Sequence, residues 1–175
     1  MISCHFGQIW DIVQKRMRAR FKEHTSTIKG IAFSPKGHSL VSGSNDRSVR
    51  LWNLRDGSSK VMPVTGKPSF SISVAFSPDG RYIAGGHFDN VLWIWDSRRR
   101  KVVAKWLGHR HSVRCIEFTP DGKGLMSGSD DGTVKCWDMT SLGTGSESRS
   151  FPEIRGFSGH TVRFFFFWYL LYLTL

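Results

Sequence analysis

The chain has 175 residues, enough for one ordinary domain, and its 39% apolar and 22% charged content is a normal globular balance. Twenty-five Lys and Arg against 14 Asp and Glu leave a formal charge of +11. That sign favours acidic partners such as nucleic acid, acidic protein surfaces or anionic membranes without selecting among them, and a solvated basic surface is the preferred reading. The cysteines are Cys4, Cys115 and Cys136, an odd set with no CxxC spacing, which argues against a disulfide framework and against a zinc site.

"MISCHFGQIW" has no basic run followed by an apolar core, so no secretory signal is read there. "GQIWDI" (7–12) then carries the first of four recurring tryptophans, Trp10, Trp52, Trp95 and Trp137, spaced by 42, 43 and 42 residues and each followed by Asp or Asn. A second landmark, "FSPKG" (33–37), "FSPDG" (76–80) and "FTPDG" (118–122), repeats with spacings of 43 and 42. Two landmarks sharing one period of 40 to 45 are the signature of a four-stranded propeller blade.

Within a unit, "IKGIAF" alternates as a strand, with Ile31 and Phe33 on one face. "SPKG" and "SPDG" read as type I turns, with Pro35, Pro78 and Pro120 pre-setting the first central dihedral and Gly37, Gly80 and Gly122 last. "SLVSGS", "RYIAGG" and "KGLMSGS" are second strands whose small residues allow close approach. "SNDR", "HFDN" and "SDDG" are tight turns, and "SVRLWN", "VLWIWD" and "TVKCWD" are third strands. "KVVAKW" (101–106) is a looser fourth, and Cys136 is expected to be a buried free thiol, which fits a reducing compartment. A lone four-stranded sheet has open edges and an uncovered apolar face, so such sheets must stack.

These residues resemble WD repeats. The resemblance implies a buried hydrogen-bond network made of His24, Ser42, Asp46 and Trp52 in one blade and His109, Ser127, Asp131 and Trp137 in another. The blade between keeps Asp89 and Trp95 but has Lys67 and Gly85 where His and Ser are expected, so its chain should be incomplete. The same residue types make a hydrolase triad elsewhere, but a set recurring once per blade is scaffold, not a single active site. No nucleophile elbow or phosphate loop occurs, and "GTGSES" (143–148) does not follow a strand. The reading is therefore non-enzymatic, with no cofactor, metal or small-molecule substrate.

At a finer level, "SGSNDRSVRLWN", "VAFSPDGRYIAGG" and "GHRHSVRCIEFTPDGKGLMSGS" are similar to the C-terminal propeller of fungal Tup-type, Groucho-related transcriptional corepressors, over about residues 7 to 142. That implies an all-β, partial propeller acting as a protein-interaction scaffold in the nucleus, with DNA-bound regulators and histone tails as partners. The alternative is a WD-repeat adaptor of another complex, such as a ubiquitin-ligase receptor or ribosome-assembly factor, and a cytoplasmic location. The residues placed for partner binding are Lys29, Ile72 and Arg114 on first strands, and Asn45, Phe88 and Asp130 before the turn aspartates. Direct sequence-specific DNA reading is not expected without a recognition helix or basic-aromatic module. "SRRRK" (97–101) reads as an exposed turn, with a nuclear-localisation run as the functional alternative.

The expected organisation is the end of a blade (1–20), blades over 21–63, 64–106 and 107–142, a polar linker over 143–157, and the start of a further blade from 158. After residue 163 the pattern fails: "FFFFWYLLYL" (164–173) has no alternation and is too short to span a bilayer. A translated intron or shifted frame, in a truncated gene model, is the expected origin. The Tup-type tetramerising segment that binds a TPR-repeat partner has no counterpart here, so those activities are not assigned. If the tail is foreign to the fold, deleting residues 163–175 raises soluble yield and leaves the thermal melt unchanged. A lost cooperative melt shows instead that the run packs as a strand.

Overall fold

The computed structural model describes residues 7–140, 142 and 156–158. Among them the chain is all-β, an arc of four antiparallel sheets. The first holds β1 (Gly7–Asp11) and β2 (Arg16–Phe21). The second runs in order through β3 (Ile28–Phe33), β4 (Ser39–Ser44), β5 (Val49–Asn53) and β6 (Ser59–Val61). The third holds β7 (Ser71–Phe76), β8 (Tyr82–His87), β9 (Val91–Asp96) and β10 (Lys101–Leu107). The fourth holds β11 (Val113–Phe118), β12 (Gly124–Ser129), β13 (Thr133–Asp138) and β14 (Gly156–Ser158). Chain neighbours are sheet neighbours throughout, which is a meander. Of the linker expected over 143–157, residues 156 and 157 pair with β13 as part of the fourth strand. Cys4 and the tail 163–175 lie outside the described residues.

The turns joining first to second strands close as their residues dictate. The Gly37, Gly80 and Gly122 amides donate to Ser34, Ser77 and Thr119 carbonyls, each at 2.8 Å. The glycines have φ of 67°, 71° and 70°, a region costly for a side chain bearing Cβ. Asp79 and Asp121 each accept a hydroxyl, from Ser77 and Thr119, at 2.6 Å.

The sheets stack on their apolar faces. Val41, Val49 and Met62 of the second sheet meet Val74, Ile83 and Trp95 of the third. Ala84, Leu92 and Trp106 of the third meet Val113, Leu125 and Trp137 of the fourth. The two-stranded sheet covers Leu40 and Trp52 through Phe21. It leaves Ile31 (61% exposed) and Phe33 (53%) open to a cavity of about 320 Å³ that Ile9, Trp10 and Phe21 also line. The strand alternation is thus as read, but this face of β3 has no full sheet against it. Cys136 is half-buried rather than buried, because it sits on the less covered face of β13. Burial still pushes both the Cys115 and Cys136 thiols up from their usual range.

At Gly30 one sheet comes close to the backbone of the next. A Cβ there would lie 3.0 Å from the Ile72 carbonyl oxygen and 3.1 Å from the Ser73 Cα. Those atoms are backbone and cannot step aside without moving β7. Gly30→Ala is therefore expected to destabilise the fold by about 1–3 kcal/mol, the usual cost of overpacking. Thermal unfolding of the variant measures this, and an unchanged melt disproves the tight contact.

Candidate functional site

Beneath one end of the sheets lie two nearly identical polar chains. Their direction is forced by the groups at their ends, because an indole can only donate and a carboxylate can only accept. Trp52 Nε1 donates to Ser42 Oγ at 2.8 Å, Ser42 donates to His24 Nε2 at 2.6 Å, and His24 Nδ1 donates to Asp46 Oδ2 at 2.7 Å. In the fourth sheet the same steps run Trp137 to Ser127 (2.7 Å), Ser127 to His109 (2.7 Å) and His109 to Asp131 (2.9 Å). The carboxylates also tie down their turns. Asp46 accepts the Thr25 amide, the Ser48 amide and the Ser48 hydroxyl. Asp131 accepts the Arg110 amide, the Thr133 amide and the Thr133 hydroxyl.

The electrostatics follow. Burial alone would raise the Asp46 carboxyl, but hydrogen bonds from Ser48, His24 and the Thr25 amide outweigh it and hold it at about 2. Asp131 is lowered further by the same kinds of bond, from Thr133, Arg110 and His109. Burial depresses His24 despite Asp46 beside it. At neutral pH both aspartates are therefore ionised, and the His24 imidazole is neutral. Ser42 and Ser127 are each 1% exposed, so neither hydroxyl can meet a substrate.

The third sheet departs from the pattern. Asp89 is exposed and forms no hydrogen bond with the other described residues, so its place in a buried network is corrected. Two absences free it. Lys67 stands where the flanking sheets have the histidine that donates to the aspartate, and Val91 stands where Ser48 and Thr133 supply hydroxyls, while Gly85 removes the serine between imidazole and indole. Trp95 stays fully buried but donates to the Pro63 carbonyl at 2.5 Å. The ring beside it is His87, 1% exposed, with centroids 6.3 Å apart. The corresponding distances are 6.0 Å for His24–Trp52 and 6.1 Å for His109–Trp137. His87 comes from the second strand itself and stands where the flanking repeats have Ser44 and Ser129. Gly85 makes the room: a Cβ there would sit 2.9 Å from the Trp95 ring and 3.2 Å from His87 Nε2. His87 Nδ1 donates to the Ser69 carbonyl at 3.3 Å, while Nε2 is buried without a partner. The sequence signal was present in "GGH" against "SGS".

Above the chains is the surface read as partner-binding. Each first strand carries a bulge, between Ile28 and Gly30, Ser71 and Ser73, and Val113 and Cys115. The extra residues are Lys29, Ile72 and Arg114. A bulge re-aims its side chain. In each sheet the amide of the turn residue, Asn45, Phe88 or Asp130, donates back to Thr27, Phe70 or Ser112. Arg114 Nε donates to Asp130 Oδ2 at 2.7 Å. Phe88, 53% exposed, meets Phe70 edge-on at 5.9 Å, and the Arg47 guanidinium lies 5.4 Å over Phe70. Phe70 lies in a loop whose length varies between repeats and Arg47 in the recurring tight turn, and residue type alone gave no signal at either. Lys29 is exposed, Asn45 and Ile72 are half-buried, and no ion pair or hydrogen bond joins Lys29 to Asn45. Among the described residues no group of His, Cys, Asp or Glu is placed to hold a metal ion.

A family model described as "WD domain, G-beta repeat" matches residues 15–53, 60–96 and 100–138. WD repeat and SOCS box-containing protein 1 of Takifugu rubripes is 32% identical over 63 residues, 35% of this chain and 15% of that protein. Its Homo sapiens counterpart is 30% identical over 69 residues, 39% of the chain and 16% of that protein. Periodic tryptophan protein 2 homolog of Neurospora crassa is 37% identical over 46 residues, 26% of the chain and 5% of that protein. The matched stretch thus spans under a fifth of these relatives' lengths.

Burial holds His87 neutral in the fold, below its ordinary 6.5, with Asp89 pulling the other way. The unfolded chain takes up that proton as pH falls below 6.5 and the folded chain does not, so acid destabilises it. His24 adds in the same direction. The melting temperature is expected to fall between pH 7 and pH 5. His87→Gln should flatten that dependence by up to one proton, about 1.4 kcal/mol per pH unit. An equal pH slope in parent and variant would show that His87 titrates normally in the fold.

Proposed function

The chain belongs to the WD-domain, G-beta repeat family, and on that premise we propose that it is a non-enzymatic protein-interaction scaffold whose binding surface is the row of bulge and turn residues. The observation that carries this is the recurrence of the bulge at one position in three sheets. It sets Lys29, Ile72 and Arg114 beside the turns holding Asn45, Phe88 and Asp130. Their types differ from sheet to sheet, whereas the strand frame that presents them recurs. A surface of unlike side chains on a uniform frame suits recognition of one irregular partner.

The finer reading is a transcriptional corepressor that binds DNA-bound regulators and histone tails in the nucleus, supported by the motif resemblance over residues 7 to 142. A second reading is an adaptor of another complex, supported by relatives whose names carry a SOCS box. The fold serves both, so the partner must be identified by binding.

Arg114→Ala and Lys29→Ala are the test. The Arg114–Asp130 pair is half in solvent, with side-chain exposures of 44% and 39%, and such pairs contribute little to stability. Both variants are expected to melt within about 0.5 kcal/mol of the parent. Both should lose capture of an acidic, repressor-derived peptide, while Asp131→Ala should lose the fold. Undiminished capture by Arg114→Ala and Lys29→Ala rejects this surface.

A further inference from the structure

At the opposite end of the sheets lies a different surface. Two adjoining cavities, of about 490 and 480 Å³, share His38 and Arg55. The first is lined by Arg16 and Met17 of β2, and the second reaches Lys60 of β6 and Arg100 in the turn between β9 and β10. One groove therefore crosses three consecutive sheets and gathers Arg16, Arg55, Lys60 and Arg100, all exposed.

None of these four cations forms an ion pair with a described residue. Three carboxylates stand near them, each engaged in its own turn, and Asp11, which pairs in register with Arg16, accepts the Gln14 amide. Asp56 accepts the Ser58 amide and the Asn53 side-chain amide. Asp96 is buried and accepts the Arg98 and Arg99 amides. Like charges held in a concave site and outnumbering the carboxylates beside them raise the local positive potential and concentrate anions there.

We propose that this groove is a sequence-independent docking track for the phosphate backbone of nucleic acid. The arrangement favours a linear polyanion over a single anion. The cations are strung across three sheets instead of converging as a bidentate cradle, and the groove is open along its length. No helix occurs among the described residues, so nothing is placed to read base edges in a groove, and contact is to the backbone alone. This inference does not rest on the proposed peptide surface, which occupies the other end of the strands.

Salt dependence measures it. With four phosphate contacts, log K against log salt for a 20-base-pair duplex has a slope of about −3.6, or about 150-fold weaker binding between 50 and 200 mM. Arg55→Gln with Arg100→Gln should bring the slope to about −1.8 and that ratio to about 12-fold. Arg16→Gln with Lys60→Gln, made independently, should do the same. Lys22→Gln with Arg110→Gln removes equal charge at the opposite end and should leave the slope unchanged. A second duplex of unrelated sequence should bind equally. Fluorescence anisotropy on the 175-residue chain reads all of these. Equal loss in groove and control variants makes the attraction diffuse and overturns the proposal. So does no duplex binding at 50 mM salt, or groove-dependent binding of polyglutamate without binding of the duplex.

Discussion

The interaction on which the architecture turns is the step from a buried histidine to a turn aspartate. His24 lies just before β3 and Asp46 lies between β4 and β5, 22 residues later, yet their side chains meet at 2.7 Å. One bond thus pins the entry loop of a sheet to its far turn. The carboxylate is held ionised by donors that have no other acceptor, and the serine between imidazole and indole carries the constraint down to Trp52. Unpairing any member leaves a buried polar group unsatisfied, at about 1–3 kcal/mol each. Such a chain sets the relative positions of loops as well as stability, and those loops carry the exposed side chains.

The matched repeat and the physical sheet are out of phase. The segment 15–53 contains β2 with β3, β4 and β5, and 100–138 contains β10 with β11, β12 and β13. Each repeat therefore lends its first strand to the preceding sheet. A sheet is completed by its neighbour's residues, so adjacent sheets are joined by chain connectivity as well as by apolar packing. This is one reason a stack of such units behaves as a cooperative array.

The middle sheet shows how far the frame tolerates loss of its polar chain. Lys67, Gly85 and Val91 remove three groups that the flanking sheets use, and Asp89 is released to solvent. The aromatic shape survives because His87 fills the space beside Trp95. The constraint is thus partly steric: an imidazole next to the indole. The hydrogen bonds to serine and aspartate are an addition that two of the three sheets make.

One period and the local turn chemistry were enough to establish from the sequence the strand order, the proline–glycine turns and the stacking of sheets, and the resemblance to WD repeats added the residues of the two complete chains. These depend on local preference and on fixed offsets, which a repeat displays several times over. Tertiary structure alone decided the rest. His87 stands at the repeat position of Ser44 and Ser129, but its imidazole takes the place beside Trp95 that His24 and His109 fill from the loop before their first strands, a substitution that only the packing reveals. Phe70 meets Phe88 from a loop whose length varies between repeats. Arg16, Arg55, Lys60 and Arg100 are far apart in sequence and share a groove only because three sheets lie side by side. A period reports what each unit repeats, and contacts between units depend on how the units are set against one another.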